Sequence, residues 1–229
     1  MLFNFEEGEQ ILIDKPFKWT SFDVVKKVRN TIKVKKVGHA GTLDPLATGL
    51  LVICTGKKTK QIDSIQAQSK EYTGTLVLGA TTPSYDLETE PVLTNADFSA
   101  LSLRDLINAT AAFVGEIDQK PPIYSAVKVD GVRLYKKARI GETVEIKSRK
   151  VTITEFIIES MELPYVRFRV KCSKGTYIRS LVHDYGEALN TGAYLSELRR
   201  ERIGDFNVSD AFKLEEFLAA AKESNQNQL

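Results

Sequence analysis

The 229-residue chain is 42% hydrophobic and 27% charged with a net charge of +2, the balance of an ordinary globular protein of one large or two small domains. No apolar run approaches the ~20 residues of a membrane span, and the acidic start, residues 1–10, lacks the basic-then-apolar plan of a signal peptide. Two cysteines, Cys54 and Cys172, both in apolar runs, exclude a disulfide scaffold and lead us to expect buried free thiols in a cytoplasmic protein.

In chain order, residues 11–14 read as a short strand that Lys15-Pro16 turns. Thr20-Ser21-Phe22-Asp23 has the form of a capping box and predicts a helix to about residue 32. Phe22, Val25 and Val28 mark its apolar side, with lysines opposite. Gly38-His39-Ala40-Gly41-Thr42-Leu43-Asp44-Pro45 reads as irregular: two glycines relax the backbone, and Pro45 removes a donor and biases Asp44 toward an extended conformation. The run through Cys54 that follows ends as a buried strand. An acid on a stiff loop against such a strand can be aimed at a substrate, although Asp beside Gly and Pro more often closes a turn.

Residues 57–66 predict a helix, 71–78 a strand, 81–91 a polar loop and 98–113 a helix with an acidic face. Residues 151–160 and 165–172 are strands able to pair as a hairpin, 176–189 and 212–222 are helices, and the tail from 223 is expected to fray. Strands and helices without strict alternation argue for an α+β fold with a mixed, mainly antiparallel central sheet flanked by helices and loops.

Charge is unevenly spread. Lys26, Lys27, Arg29, Lys33, Lys35, Lys36, Lys57, Lys58 and Lys60 surround the Asp44 segment, residues 86–118 are acidic, and positive charge returns in 128–150 and 167–202. Taken singly each run fits a solvated face; together they suit an anionic partner, nucleic acid being the commonest.

Familiar catalytic patterns fail. His39 and His183 are the only histidines and no zinc spacing occurs, so no metal site is expected. Gly56-Lys57 hints at a phosphate loop, yet Lys58 holds the Ser/Thr position and Leu51 the first Gly position. Neither Gly-x-Gly-x-x-Gly nor Gly-x-Ser-x-Gly is present. Asp44, Arg179, Tyr72, Tyr177 and His39 remain as reactive candidates.

Four ordered blocks carry a resemblance. Residues 38–49, Gly-His-Ala-Gly-Thr-Leu-Asp-Pro-Leu-Ala-Thr-Gly, resemble the active-site motif of the TruB family of bacterial tRNA pseudouridine synthases. Pro121-Pro122-Ile123-Tyr124-Ser125-Ala126-Val127-Lys128 with Gly131, Tyr135 and Ala138-Arg139, then Cys172 to Arg179, then Leu198-Arg199-Arg200, resemble its further signatures.

The resemblance implies a pseudouridine synthase fold in a single catalytic domain over 1–229, short of the C-terminal RNA-binding (PUA) domain of many relatives. It implies isomerisation of uridine to pseudouridine at position 55 in the tRNA T-loop, with no cofactor, by a monomer. Asp44 matches the nucleophile, Arg179 the arginine that pairs with it, and Tyr72 the active-site tyrosine, for which stacking on a flipped uracil and proton transfer both stay open. Tyr177 and Leu198 match uridine-pocket positions and His39 an RNA contact. Residues 120–150 match a T-arm clamp in which Lys128, Arg133, Lys136, Lys137 and Arg139 suit phosphates.

A non-catalytic RNA-binding tRNA folding factor is the alternative; a sugar hydrolase lacks its second carboxylate. Two local departures stand out. Lys18 replaces a common Gly, so that turn is expected to do without positive φ. Thr82-Pro83-Ser84 replaces the usual Thr-Asp-Thr with only Asp86 kept, so the contacts of that loop are expected to change.

Overall fold

The computed structural model describes residues 3–125, 128–129, 132–134 and 146–226. The chain forms two compact units, Met1–Tyr72 with Leu198–Leu229, and Thr73–Glu197. The first segment carries β1 (Gln10–Lys15), α1 (Ser21–Ile32), β2 (Val37–Ala40), β3 (Thr48–Thr55), a 3-10 turn at Gly56–Gln61, α2 (Ile62–Ala67) and the start of β4 (Lys70–Leu78). The second unit continues with β5 (Ala80–Thr81), β6 (Val92–Leu93), α3 (Leu103–Thr110), β7 (Gly115–Gln119), β8 (Lys128–Val129) and β9 (Val132–Arg133). It ends with β10 (Arg149–Glu162), β11 (Tyr165–Cys172), α4 (Ile178–Ala188) and the start of β12 (Ala193–Ile203). The rest of β12, β13 (Phe206–Asn207), β14 (Phe212–Lys213) and α5 (Leu214–Gln226) return to the first unit. The class is α+β, with mixed and mainly antiparallel strand pairing.

In the first unit the strand order is β14-β1-β3-β12, with β2 on β3 and β13 on β12. β3 pairs antiparallel with β1 along most of its length, antiparallel with β2 over its second half, and parallel with β12 at Thr48 and Gly49. Its apolar run is explained by two cores. Leu51 and Ile53 pack with Ile13, Val24, Val28 and Phe217 on one face; Leu50, Val52 and Cys54 pack with Ala40, Ile65 and Ile203 on the other. Strand alternation thus sorts one run into two cores, each large side chain contributing about 1.5–3 kcal/mol.

The capping box of α1 is present: Asp23 N–H donates to Thr20 Oγ1 at 3.0 Å, and Thr20 N–H to the Asp23 carboxylate at 3.0 Å. Val24, Val25, Val28 and Ile32 form the buried stripe. Phe22 does not join it and is 63% exposed. At 3.6 residues per turn it lies roughly a quarter turn off the stripe's centre.

In the second unit β12-β4-β11-β10-β7 are neighbours, and β10 and β11 form the expected hairpin. Phe156 packs edge-on against Phe168 and Tyr185, and the Tyr185 hydroxyl donates to the Leu106 carbonyl at 2.7 Å, fixing α4 to α3. The acidic helix is shorter than expected. The Ser102–Asp105 capping box starts it, and Phe98 instead fills the space beside Gly79. Helix α5 starts late because Phe212 and Lys213 pair in parallel with Ile13 and Asp14, and it runs on to Gln226, past the point where fraying was expected.

Gly49, with φ of 97°, has no room for a side chain: a Cβ would meet the Arg200 carbonyl oxygen at 2.3 Å and its nitrogen at 2.7 Å. Gly49→Ala is expected to lower stability by about 3 kcal/mol or more in urea denaturation. An unchanged midpoint would contradict the close β3–β12 approach.

Candidate active site

Asp44 sits half-buried in the loop joining β2 to β3. The irregular stretch is shorter than expected, because Gly38, His39 and Ala40 pair with Cys54, Ile53 and Val52 as strand β2. The loop backbone is then held group by group. Arg200 Nη2 donates to the Gly41 carbonyl at 3.0 Å, while its Nε donates to the Leu50 carbonyl at 2.8 Å. The Leu43 N–H donates to Ser21 Oγ at 2.9 Å, and that hydroxyl lies 3.2 Å from the Leu43 carbonyl. The Pro45 carbonyl accepts from the Lys18 N–H at 2.9 Å and Lys15 Nζ at 3.3 Å. The Ala47 N–H closes a turn on the Asp44 carbonyl at 3.1 Å.

Lys18 corrects an expectation. Its φ is 65°, so the turn keeps the left-handed geometry that glycine would supply. The Lys18 N–H must face Pro45, and that contact holds a conformation costing a side-chain residue about 1–2 kcal/mol.

Two buried cations underlie the loop. Lys15 is fully buried, and its ammonium donates to the carbonyls of Pro16 (3.0 Å), Trp19 (2.6 Å) and Pro45. Burial lowers its pKa from 10.5 to about 8; Asp44, Asp14 and Asp23 pull it up, and Arg200 pushes it down. Arg200 is 1% exposed and, among the described residues, gives its protons to main-chain carbonyls rather than to a carboxylate. Next to it in sequence, Arg199 grips both oxygens of Asp14 at 2.8 Å each. His39 is held below its ordinary pKa by burial and then by Arg200, against the pull of a hydrogen bond with the Gly41 backbone. Its Nδ1 has no hydrogen-bond partner among the described residues.

Tyr72, buried in β4, and Leu198, half-buried in β12, belong with Asp44 and His39 to the first unit. Thr48 Oγ1 donates to the Leu198 carbonyl at 3.4 Å. Arg179 and Tyr177 belong to the second. Arg179 is 3% exposed and donates to the carbonyls of Ser84 (3.0 Å) and Tyr124 (2.9 Å), with its Nε 3.6 Å from the Asp86 carboxylate. Asp86 and Ser84 therefore retain a defined role in a loop whose contacts were expected to change. Tyr177 precedes α4, exchanges two hydrogen bonds between its backbone and the Gln119 side chain (2.7 and 3.0 Å), and has the Arg149 guanidinium 4.7 Å from its ring centre.

Of the basic clamp, Lys128 and Arg133 occupy facing positions in the β8–β9 ladder. Lys136, Lys137 and Arg139 lie outside the described residues. Sequence reasoning missed Lys15, Ser21 and Arg200 as parts of the site. Arg200 stood inside the fourth signature and Lys15 beside the turn, but only folding shows that both are buried.

A family model described as "TruB family pseudouridylate synthase (N terminal domain)" matches residues 29–178, and one described as "tRNA pseudouridylate synthase B C-terminal domain" matches 179–229. The chain is 57% identical over 217 residues to tRNA pseudouridine synthase B of Flavobacterium johnsoniae, covering 91% of this chain and 93% of the relative. It is 52% identical over 222 residues to the Phocaeicola vulgatus protein of the same name, covering 93% of each. Among solved structures, a Cbf5-Nop10-Gar1 complex matches with a TM-score of 0.76 at 30% identity over 98% of this chain. An H/ACA RNP bound to a substrate RNA containing 2'-deoxyuridine matches with a TM-score of 0.73 at 26% identity, also over 98% of this chain. The chain spans little more than half of those solved chains, 57% and 56%.

The buried lysine gives a pH signature. Between about pH 8 and 10.5 the unfolded chain holds a proton on Lys15 that the folded chain has lost, so stability rises with pH through that window. The unfolding free energy of the wild type relative to Lys15→Met should climb by up to ~3 kcal/mol across it. A difference that stays flat with pH would contradict the assignment.

Proposed function

Because this chain belongs to the TruB family of pseudouridylate synthases, and is therefore an enzyme that forms pseudouridine in tRNA, we propose that it acts on uridine 55 of the T-loop with Asp44 as nucleophile. The observation that carries the role of Asp44 is its place on the loop whose flanking backbone is fixed by Arg200, Ser21 and Lys15. A carboxylate so held loses little freedom on reaching the reacting geometry.

The reaction breaks the N1–C1′ bond, turns the uracil and joins C5 to C1′; N1 gains the proton that C5 gives up. Product and substrate are isomers, so no electrons, phosphate or water are consumed. A carboxylate nucleophile divides one difficult cleavage into two easier steps. Addition at C1′ makes Asp44 the nucleophile, whereas passage through a glycal makes it the base that takes the C2′ proton and later returns it; one carboxylate serves either route. Family resemblance supports the remaining assignments: Arg179 matches the arginine that partners the nucleophile, Tyr72, Tyr177 and Leu198 receive the uridine, and His39 contacts the RNA beside it. The lowered pKa of His39 makes it a neutral hydrogen-bonding group at pH 7, suited to a base or sugar rather than to a phosphate.

Lys128, Arg133, Lys136, Lys137 and Arg139 are assigned to phosphates of the T-arm. The enzyme is placed in the cytoplasm as a monomer; the buried free thiols of Cys54 and Cys172 support the compartment. No described helix is long and apolar enough to cross a membrane. Family membership sets aside the non-catalytic folding factor as a complete account.

The test is conversion of a T-arm transcript, read by chemical mapping because pseudouridine has the mass of uridine. Asp44→Asn should lower turnover by about four orders of magnitude or more while RNA affinity stays within about threefold. Normal turnover by Asp44→Asn would refute the mechanism.

A further inference from the structure

An open cleft of about 560 Å³ in the second unit is lined by Tyr85, Lys120, Pro121, Ile123 and Lys147. None of the residues assigned to the target uridine lines it. We infer that this cleft binds a second nucleotide of the RNA substrate, its base against Tyr85 and its phosphate between Lys120 and Lys147; this rests on the RNA reading above.

The volume suits a nucleotide, and the lining offers what one requires: an aromatic ring, apolar side walls and two exposed ammonium groups. The ring is fixed in advance. Tyr85 stacks on His183 with centroids 3.9 Å apart and planes within 8°. One face is thereby closed, so the cleft meets the other face or the edge. The Tyr85 N–H donates to the Thr82 carbonyl at 3.1 Å, and its own carbonyl accepts from Leu195 N–H at 2.9 Å. These bonds hold Tyr85 at a φ of 64°, a left-handed conformation that costs a bulky residue on the order of 1–3 kcal/mol and recurs at ligand clamps. Burial, with Asp184 and Glu187 of α4 nearby, pushes the phenol pKa up, so the hydroxyl remains a neutral donor.

The same walls hold Arg179. Tyr85 lies between Ser84, whose carbonyl accepts from Arg179, and Asp86, whose carboxylate faces its Nε. Ile123 lies beside Tyr124, the third acceptor of that guanidinium. A nucleotide seated in the cleft therefore touches the two short segments that orient Arg179.

The test measures equilibrium binding of the full chain to a T-arm stem-loop by fluorescence anisotropy. The variants are Tyr85→Asn, which tolerates left-handed backbone, Tyr85→Phe, which keeps the ring, and the exposed Lys147→Gln. Tyr85→Asn should weaken binding about tenfold and Tyr85→Phe by less than about twofold. Lys147→Gln should reduce the slope of log affinity against log salt by about one. In a series of RNAs with a single abasic site at each loop position, one should bind the wild type as weakly as Tyr85→Asn binds intact RNA, and should lose nothing further with that variant. Wild-type affinity for both Tyr85→Asn and Lys147→Gln, or a Tyr85→Asn penalty that persists with every abasic RNA, would overturn the inference. If Tyr85→Asn fails to fold, the salt slope of Lys147→Gln decides. Binding does not require turnover, so failure of the Asp44 mechanism shows only in the conversion assay.

Discussion

The loop that carries Asp44 depends on buried cations that direct their hydrogen bonds to its backbone. Arg200 ties the carbonyl of Gly41, three residues before Asp44, to that of Leu50 beyond it, and Lys15 gathers the carbonyls of Pro16, Trp19 and Pro45. Burying an ammonium or guanidinium is costly unless its protons are taken up, and carbonyl dipoles take them up without cancelling the charge. Positive charge is therefore retained beneath Asp44 while the main chain on either side is immobilised. The arrangement separates two demands: backbone groups satisfy the cations, and the half-buried carboxylate remains the loop's acid.

The sheet places these cations. On β12, Arg199 and Arg200 point to opposite faces, as successive strand residues must, and so reach Asp14 and Gly41 respectively. The parallel pairing of Thr48 and Gly49 with Arg199 and Arg200 requires a glycine where β3 crosses closest. The final glycine of the signature is thus explained by packing. Ser21 adds a third hold from the first turn of α1, so strand, helix and turn converge on one short loop.

Much of this was legible in the sequence where local rules suffice. The Thr20–Asp23 box starts α1 as read, and the alternating residues of β10 and β11 form the expected hairpin. Asp44 and Arg179 were singled out by signature rather than by local chemistry. The failures are tertiary. Lys18 takes a left-handed conformation because its N–H must reach Pro45, a partner 27 positions away that no turn propensity encodes. Phe22 shares the helix with the valine stripe but not its angular position. For Lys15 and Arg200 surface charge is the ordinary reading, and their burial follows from which strands become neighbours. Tyr85 lay in a loop noted for what it lacked, so its stack on His183 gave no sequence signal.

On the proposal that Asp44 is the nucleophile, the fixed loop backbone places its carboxylate for reaction. Ser21→Ala tests it most directly, because it removes one small buried hydroxyl and leaves the Leu43 N–H without its partner, at a stability cost of about 1–3 kcal/mol. The measurement is the single-turnover rate of pseudouridine formation in a T-arm RNA at saturating enzyme, beside RNA affinity and the melting temperature. The rate should fall about tenfold or more, with affinity within about twofold and the protein folded at the assay temperature. A folded Ser21→Ala enzyme that reacts at the wild-type rate would contradict that placement.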